Sequence, residues 1–168
     1  TELSMICVGT PSQVNGSLDL RFVTKVCEDI GVALKQKPAF HVVVLRSTVL
    51  PGTAQEVVIP TLERASGKKS GQDFGVVVNP EFLREGTAIH DYYEPPKTVI
   101  GETDQRSGDI VAALYENIQA PLIRVSIATA EMVKYTDNAW HANKVAFGNE
   151  IGNICKELGI DGQEVMSI

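Results

Sequence analysis

Residues 41–53, HVVVLRSTVLPGT, contain the pattern that decides the fold of this 168-residue chain. The β-branched run His41–Arg46 predicts a short strand that is apolar on both faces. Ser47 and Thr48 follow the strand at once, and Pro51-Gly-Thr53 predicts the start of a helix. A strand that is buried on both faces and followed by a helix indicates a parallel sheet covered by helices on both sides.

The same alternation of strand and helix extends outward from this segment. Further strands are predicted at Leu3–Val8, Phe74–Val78, Thr98–Gly101 and Leu122–Val125. Helices are predicted from Asp19 to about Gln36, from Pro51 through Glu63, where Pro60 should bend or shorten the helix, and over Ser107–Ile118. The predicted fold class is therefore α/β, with a doubly wound parallel sheet.

The pattern changes after Val125. Residues from Ala128 to about Leu158 predict one helix of roughly 30 residues, whereas the mean in globular proteins is about 11–12. We therefore place a domain boundary near Ser126, with residues 1–126 in the sheet domain and residues 127–168 at the start of a helical domain.

The long helix has two different sides at 100° per residue. The apolar side holds Met132, Val133, Trp140, Phe147, Ile151, Ile154 and Leu158, and the polar side holds Lys134, Asn138, His141 and Asn149. A solvated face would explain the polar side, but asparagine is a poor helix former and such faces favour Lys, Glu and Arg. The polar stripe is therefore predicted to be functional.

Composition limits the partners and the location. The net charge of −6 argues against a general nucleic-acid or anionic-membrane surface. No apolar run approaches the roughly 20 residues of a membrane span, and no signal peptide is recognised. Cys7, Cys27 and Cys155 have neither disulfide nor metal-site spacing, which favours a reducing cytosol and no metal.

Ligands of open α/β sheets sit outside the carboxyl ends of the strands, and three predicted loops leave such ends. The first, Val8–Ser12, offers the Thr10 hydroxyl beside Gly9, although an ordinary turn would look the same. The second, Arg46–Thr53, places hydroxyls beside a helix N-terminus; capping by Thr53 would leave Thr48 unexplained. In the third, Glu81 and Glu85 flank Arg84, which could pair with either in a surface turn. The residues alone indicate a piece of a nucleotide-binding α/β oxidoreductase.

Three segments, in this order, resemble the nucleotide-sugar 6-dehydrogenase family, which contains UDP-glucose and GDP-mannose dehydrogenases. They are RSTVLPGT (46–53), NPEFLREGTA (79–88) and the series Glu131, Lys134, Asn138, Asn149 and Glu150. The resemblance spans nearly the whole chain. UDP-glucose members usually continue after the asparagine at position 138 with Ala-Phe-Leu-Ala; the Ala-Trp-His-Ala at 139–142 is similar to the GDP-mannose branch. So are Ile151–Ile154 and the spacing to Val165-Met166. The resemblance implies a Rossmann-like NAD-binding domain and a central domain that dimerises through the long helix.

Family members oxidise a sugar CH2OH to a carboxylate in two NAD-coupled steps, through a cysteine-bound thiohemiacetal and thioester. The resemblance implies that Thr10 lines the NAD site and that Thr48 orders a water and contacts NAD. It makes Glu81 and Glu85 candidates for acid/base catalysis and water positioning, with Glu85 also near the cofactor, and leaves their duties undivided. Lys134 and Asn138 are implied to stabilise the oxyanion at C6. The implied substrate-binding residues are Glu81, Phe82, Leu83, Lys134, Asn138, His141 and Asn149.

The resemblance also implies a glycine-rich dinucleotide loop before Thr1 and the nucleophilic cysteine after Ile168, so the chain alone is expected to be inactive. Leu3 already lies in a strand and Asp161 caps a helix that stops one turn later, so the chain is expected to be cut from a longer protein. The expected activity of that protein is oxidation of GDP-mannose to GDP-mannuronate, a precursor of polysaccharides such as alginate. A UDP-glucose or other UDP-sugar dehydrogenase, a thiol-free hydroxyacid dehydrogenase and a non-catalytic dimerisation or nucleotide-binding module stay open as alternatives.

Overall fold

The computed structural model describes all 168 residues. The strands are β1 (Leu3–Ile6), β2 (His41–Leu45), β3 (Phe74–Val78), β4 (Thr98–Glu102) and β5 (Leu122–Ser126). The helices are α1 (Arg21–Lys35), α2 (Ile59–Ser66), α3 (Ala88–Tyr93), α4 (Gln105–Ala112), α5 (Ile127–Leu158) and α6 (Gly162–Ser167). A π turn (Ala54–Val58) precedes α2 and a 3-10 turn (Ala113–Tyr115) follows α4. The predicted α/β class and the long helix are confirmed.

The five strands form one sheet in chain order, but the sheet is mixed. β1, β2 and β3 are parallel, β4 and β5 are parallel, and β3 pairs with β4 in the antiparallel sense. The expectation of an entirely parallel sheet is therefore wrong at one junction. The connection from Asn79 to Lys97 carries only the six-residue α3, and β4 meets β3 through just two pairs, Val77 with Glu102 and Val78 with Gly101. No helix crosses the sheet there, as a parallel return requires.

Hydrophobic cores lie on both faces of the sheet, because successive side chains of a strand point to opposite sides. Every residue of β2 and β3 is buried. One core joins Val43, Leu45, Val76 and Val78 with α1, α2 and the π turn, and the other joins Val42, Val44, Val77 and Ile100 with α4. Each fully buried valine or leucine contributes about 1.5–3 kcal/mol. The helices thus cover the sheet on both sides, as predicted.

The helix predicted from Pro51 to Glu63 is interrupted. The π turn Ala54–Val58 comes first, and α2 begins at Ile59 with Pro60 in its first turn. Pro60 has no N–H to donate, and in a regular helix its ring would meet the carbonyl of Glu56. The wider π turn accommodates the proline, and such turns are frequent at functional sites.

The start of α5 lies against β4. A Cβ atom on Gly101 would stand 2.5 Å from Cβ of Ala130 and 3.1 Å from Cα of Ile127, so only glycine permits this approach. The chain divides into two compact units, Thr1–Lys134 and Tyr135–Ile168. The predicted domain boundary near Ser126 stays a prediction.

The second compact unit contains the rest of α5 and α6. The Asp161 side chain accepts hydrogen bonds from the N–H groups of Gln163 and Glu164, which confirms the predicted helix cap. The predicted apolar side of α5 stays largely exposed in this unit; its large exposed side chains are Trp140, Phe147, Ile154 and Leu158. None of the helices has the length and apolar character needed to span a membrane.

Candidate functional site

The loops that follow β1 and β2 are tied together at the edge of the sheet where β1, β2 and β3 end, which we call the carboxyl edge. The Thr10 hydroxyl donates to the carbonyl of Thr48 at 2.7 Å, and the Ser47 hydroxyl donates to the carbonyl of Val8 at 2.6 Å. Thr10 and Thr48 are both half-buried. The Thr48 hydroxyl makes no hydrogen bond within the protein, so it is available to a water or a ligand.

The main-chain N–H groups at the start of the π turn, which follows the second loop, are bound by a side chain of the protein. The Glu131 carboxylate, on α5, accepts hydrogen bonds from the N–H of Gly52 at 2.7 Å and from the N–H of Ala54 at 2.8 Å. These two N–H groups at the helix start are therefore bound within the protein and are not free to bind a ligand. Thr53 does not cap the helix either, since its hydroxyl donates to the carbonyl of Leu50 at 2.6 Å.

Burial shapes the chemistry of Glu131, which is only 1% exposed. Burial raises the pKa of its carboxyl, whereas the N–H groups of Ala54 and Gly52 act in the opposite direction by stabilising the charged form. Both carboxylate oxygens of Glu131 are therefore occupied by main-chain donors.

The third loop begins at Asn79, whose buried side chain is held by hydrogen bonds. Its amide donates to the carbonyl of Val99 at 2.9 Å. Its oxygen accepts from Arg46 at 2.8 Å and from the Tyr115 hydroxyl. Burial raises the pKa of Tyr115, so the phenol stays a neutral donor. β2, β3, β4 and the 3-10 turn are thereby joined where the loop begins.

Arg84 does not pair with Glu81 or Glu85, so the surface turn with an arginine–glutamate pair, which the sequence left open, does not form. Its guanidinium and its N–H instead bind Asp91 of α3, with a shortest distance of 2.7 Å. The Thr87 hydroxyl also donates to Asp91. Asp91 is buried, and hydrogen bonds from Arg84 hold the pKa of its carboxyl well below the ordinary range.

Glu81 pairs with Lys134, and this contact joins the third loop to α5. The Lys134 ammonium lies 3.0 Å from a Glu81 oxygen, and the other oxygen accepts the N–H of Leu83 at 2.6 Å. The Lys134 side chain is nearly buried and that of Glu81 is partly exposed. Two ammonium groups lie over the face of the Phe82 ring: that of Lys97 is 4.4 Å and that of Lys134 is 5.5 Å from the ring centroid.

The remaining predicted site residues are exposed. Glu85 is exposed and makes no hydrogen bond or ion pair within the protein. Asn138, His141 and Asn149 are exposed on the part of α5 that belongs to the second compact unit. Glu81 and Glu85 therefore differ in their surroundings, because only Glu81 is paired with a cation.

The three cysteines are free thiols. Cys7 is exposed just after β1, and Cys27 and Cys155 are buried on α1 and α5. Burial raises the pKa of the Cys27 thiol to about 12, so it stays protonated. What the carboxyl edge offers is a shielded ammonium beside a carboxylate, with a free hydroxyl on the neighbouring loop. An ammonium so placed can stabilise a developing oxyanion, and the carboxylate can accept a proton.

Comparisons with known proteins place both parts of the chain. Residues 1–119 match the model of the UDP-glucose/GDP-mannose dehydrogenase family, NAD binding domain, and residues 128–168 match the model of the same family's central domain. The whole chain is 62% identical to a GDP-mannose 6-dehydrogenase of Pseudomonas savastanoi pv. phaseolicola. It is 39% identical over 165 residues to a UDP-glucose 6-dehydrogenase of Bacillus subtilis, covering 98% of the chain and 34% of that relative. The chain spans 38% of the length of the GDP-mannose 6-dehydrogenases that it matches.

Solved structures agree with these matches. A ternary complex of GDP-mannose dehydrogenase from Pseudomonas aeruginosa superposes with a TM-score of 0.98 at 58% identity, over 99% of this chain and 38% of that chain. A UDP-glucose dehydrogenase from Pyrobaculum islandicum superposes with a TM-score of 0.93 at 38% identity, over the same shares of the two chains.

Proposed function

Since the chain belongs to the UDP-glucose/GDP-mannose dehydrogenase family, we propose that it is part of an NAD-dependent enzyme that oxidises the C6 hydroxymethyl group of GDP-mannose to a carboxylate. The observation that carries the proposal is the Lys134–Glu81 pair at the carboxyl edge. The identity of 58–62% to GDP-mannose 6-dehydrogenases, against 37–39% to UDP-glucose 6-dehydrogenases, favours GDP-mannose over UDP-glucose.

The proposed reaction removes four electrons from C6. One CH2OH group, one water and two NAD+ give one carboxylate, two NADH and three protons. NAD supplies the hydride acceptor when it is bound. The resemblance to the family assigns the covalent step to a nucleophilic cysteine. We propose that this cysteine is none of Cys7, Cys27 and Cys155.

The residues at the first two loops fit the uncharged part of a dinucleotide. A Cβ atom on Gly9 would meet nothing within 4 Å, so there is open space beside the loop. The Thr10 hydroxyl donates to Thr48 and keeps its lone pairs for a ribose hydroxyl or an amide. The N–H groups of Gly52 and Ala54 are bound to Glu131 and are not offered to a pyrophosphate. We therefore assign a ribose or carboxamide group of NAD to Thr10 and Thr48.

Lys134 is proposed to act when the C6 oxygen becomes negatively charged. An ammonium shielded from water stabilises such charge more strongly than an exposed one, and it does so mainly in the transition state. Asn138, one helical turn further along α5, is proposed as a second donor to the same oxygen. Glu81 is proposed as the proton acceptor, with the free Thr48 hydroxyl holding the attacking water.

The other assignments concern binding. Phe82, Leu83, His141 and Asn149 are proposed to contact the sugar and phosphates of the substrate, and Glu85 to contact the cofactor or a water. The exposed apolar side chains of α5, Trp140, Phe147, Ile154 and Leu158, favour a homodimer through this helix, because such patches mark interfaces. The proposed location is the cytosol, where nucleotide sugars serve as polysaccharide precursors.

The test uses a full-length protein that contains this chain. It is incubated with NAD and either GDP-mannose or UDP-glucose, and NADH and sugar acid are quantified. We expect two NADH for each sugar acid formed and a clear preference for GDP-mannose in kcat/KM. Equal or better turnover of UDP-glucose would overturn the substrate assignment, and no NADH with either would overturn the proposed activity. Light scattering of the same protein tests the homodimer, which a monomeric mass would contradict.

A further inference from the structure

Glu131 is the most deeply buried carboxylate in the structure, and no basic side chain neutralises it. A buried charge is costly unless it is paired or fully hydrogen-bonded. Here its two oxygens are bound by two main-chain donors, Gly52 and Ala54. The arrangement therefore resists movement, since any shift of the carboxylate would leave a buried charge without a partner.

The other end of this contact is the loop that carries Thr48. Gly52 has a left-handed backbone, with φ of +96°, which only glycine adopts without strain. The carbonyl of Leu50 accepts both the N–H and the hydroxyl of Thr53, so the turn that presents the two donors is itself fixed. The loop is held at one end by Glu131 and at the other by the Thr10–Thr48 hydrogen bond.

Glu131 also stands next to the proposed catalytic lysine. Residues three apart on a helix share a face, so Glu131 and Lys134 project toward the same side of α5. Ala130, which directly precedes Glu131 on α5, packs against Gly101 of β4. The helix therefore cannot rotate without breaking either the Gly101 packing or the Glu131 hydrogen bonds.

We infer that Glu131 is a positioning residue, which sets the place of the Lys134 ammonium relative to Thr48 by joining α5 to the loop after β2. This inference rests on the proposed function and deepens it, because it names a residue that touches neither substrate nor cofactor. A displacement of about 1 Å at a reacting group can reduce a rate by about 10²-fold.

The test is a double-mutant cycle on the full-length protein, with Glu131→Gln, Lys134→Ala and the double variant. Glutamine has the size of glutamate, but its NH2 group faces a main-chain N–H and one hydrogen bond is lost. We expect Glu131→Gln alone to lower kcat by about 10²-fold, with KM for the nucleotide sugar nearly unchanged. In the Lys134→Ala background it should lower kcat by less than about threefold, because coupled residues are not additive. Glu116→Gln, at an exposed glutamate, is the matched control and should leave kcat unchanged.

The outcomes separate positioning from a purely structural role. An equal factor in both backgrounds, or no loss in the single variant, would overturn the inference. Thermal unfolding shows whether Glu131→Gln is folded; if it is not, the cycle is repeated with Glu131→Asp, which keeps the charge. Failure of both variants to fold would make Glu131 a stability residue and would also overturn the inference. A wild-type protein without dehydrogenase activity would instead refute the proposed function, and the positioning role with it.

Discussion

The ammonium of Lys134 lies 3.0 Å from the carboxylate of Glu81, although the two residues belong to a helix and a loop that are distant in the sequence. Further contacts fix both the helix and the loop. Glu131 and the Gly101 packing fix the helix, and the Asn79 network and the Arg84–Asp91 pair fix the loop. The pair is therefore held in place by contacts within the protein.

The first prediction concerns Lys134. In a full-length protein that contains this chain, Lys134→Ala should reduce kcat by about 10²–10³, because the proposed oxyanion donor is lost, and should change KM little. Lys144→Ala, an exposed lysine on the same helix, is the control and should retain activity. Initial rates of NADH formation give both constants. A near-normal kcat with a raised KM would make Lys134 a ground-state contact of the substrate.

The second prediction separates Glu81 from Glu85. If Glu81 accepts the proton of the hydrolytic water, Glu81→Gln should complete hydride transfer and then accumulate a covalent acyl-enzyme. Glu85→Gln should not accumulate it, because Glu85 is exposed and unpaired. Intact-protein mass spectrometry after mixing with substrate and NAD detects the adduct. An adduct in the Glu85 variant alone would reverse the assignment, and none in either would remove both residues from hydrolysis.

The third prediction is a pH dependence at Asp91. Its folded pKa is below the unfolded value of about 3.9. Its stabilising contribution is therefore present above that value and is lost as pH falls toward the folded pKa. Urea unfolding should show Asp91→Asn to be less stable than wild type at pH 7, with the difference shrinking below about pH 4. Asp29→Asn, at an exposed ion pair with Lys25, should show little difference at any pH. A constant Asp91 difference down to pH 2 would contradict the assignment.

The fourth prediction tests the packing of α5 on β4. Gly101→Ala places a methyl group 2.5 Å from Cβ of Ala130, so one element must shift. We expect the free energy of unfolding to fall by about 1–3 kcal/mol, as for other overpacked sites. Gly152→Ala is the control, because a Cβ there meets nothing within 4 Å and alanine favours a helix. Equal stability of the Gly101 variant and wild type in denaturant titration would show that the helix is free to move.

Much of the fold could be predicted because its signals are local. The runs His41–Leu45 and Phe74–Val78 are strands whichever way the chain is connected, and the residues from Ala128 to about Leu158 predicted the long helix α5. The direction of β4 could not be predicted in this way. Apolar strands look alike in either direction, and the reversal depends on how the segment from Asn79 to Lys97 packs.

The site was predictable in its residue types but not in its pairings. Glu81 and Lys134 both belong to recognised segments, yet nothing local indicates that they meet. Arg84 had two carboxylates close by in the sequence and binds a third, Asp91. Thr53 was the local candidate for the helix cap, but the helix start is bound by Glu131, which arrives from α5. Pairings over such separations are decided by tertiary packing.

The capping of the helix start by Glu131 has a consequence for inhibitor design. A carboxylate fixed within the same molecule has a very high effective concentration, so a dissolved anion competes with it poorly. Phosphate, sulfate or a compound that mimics a pyrophosphate would gain little from the Gly52 and Ala54 amides. Compounds aimed at this loop should instead present hydroxyl or carboxamide groups to Thr10 and Thr48. The Thr10 hydroxyl still has lone pairs that can accept a hydrogen bond, and the Thr48 hydroxyl is free.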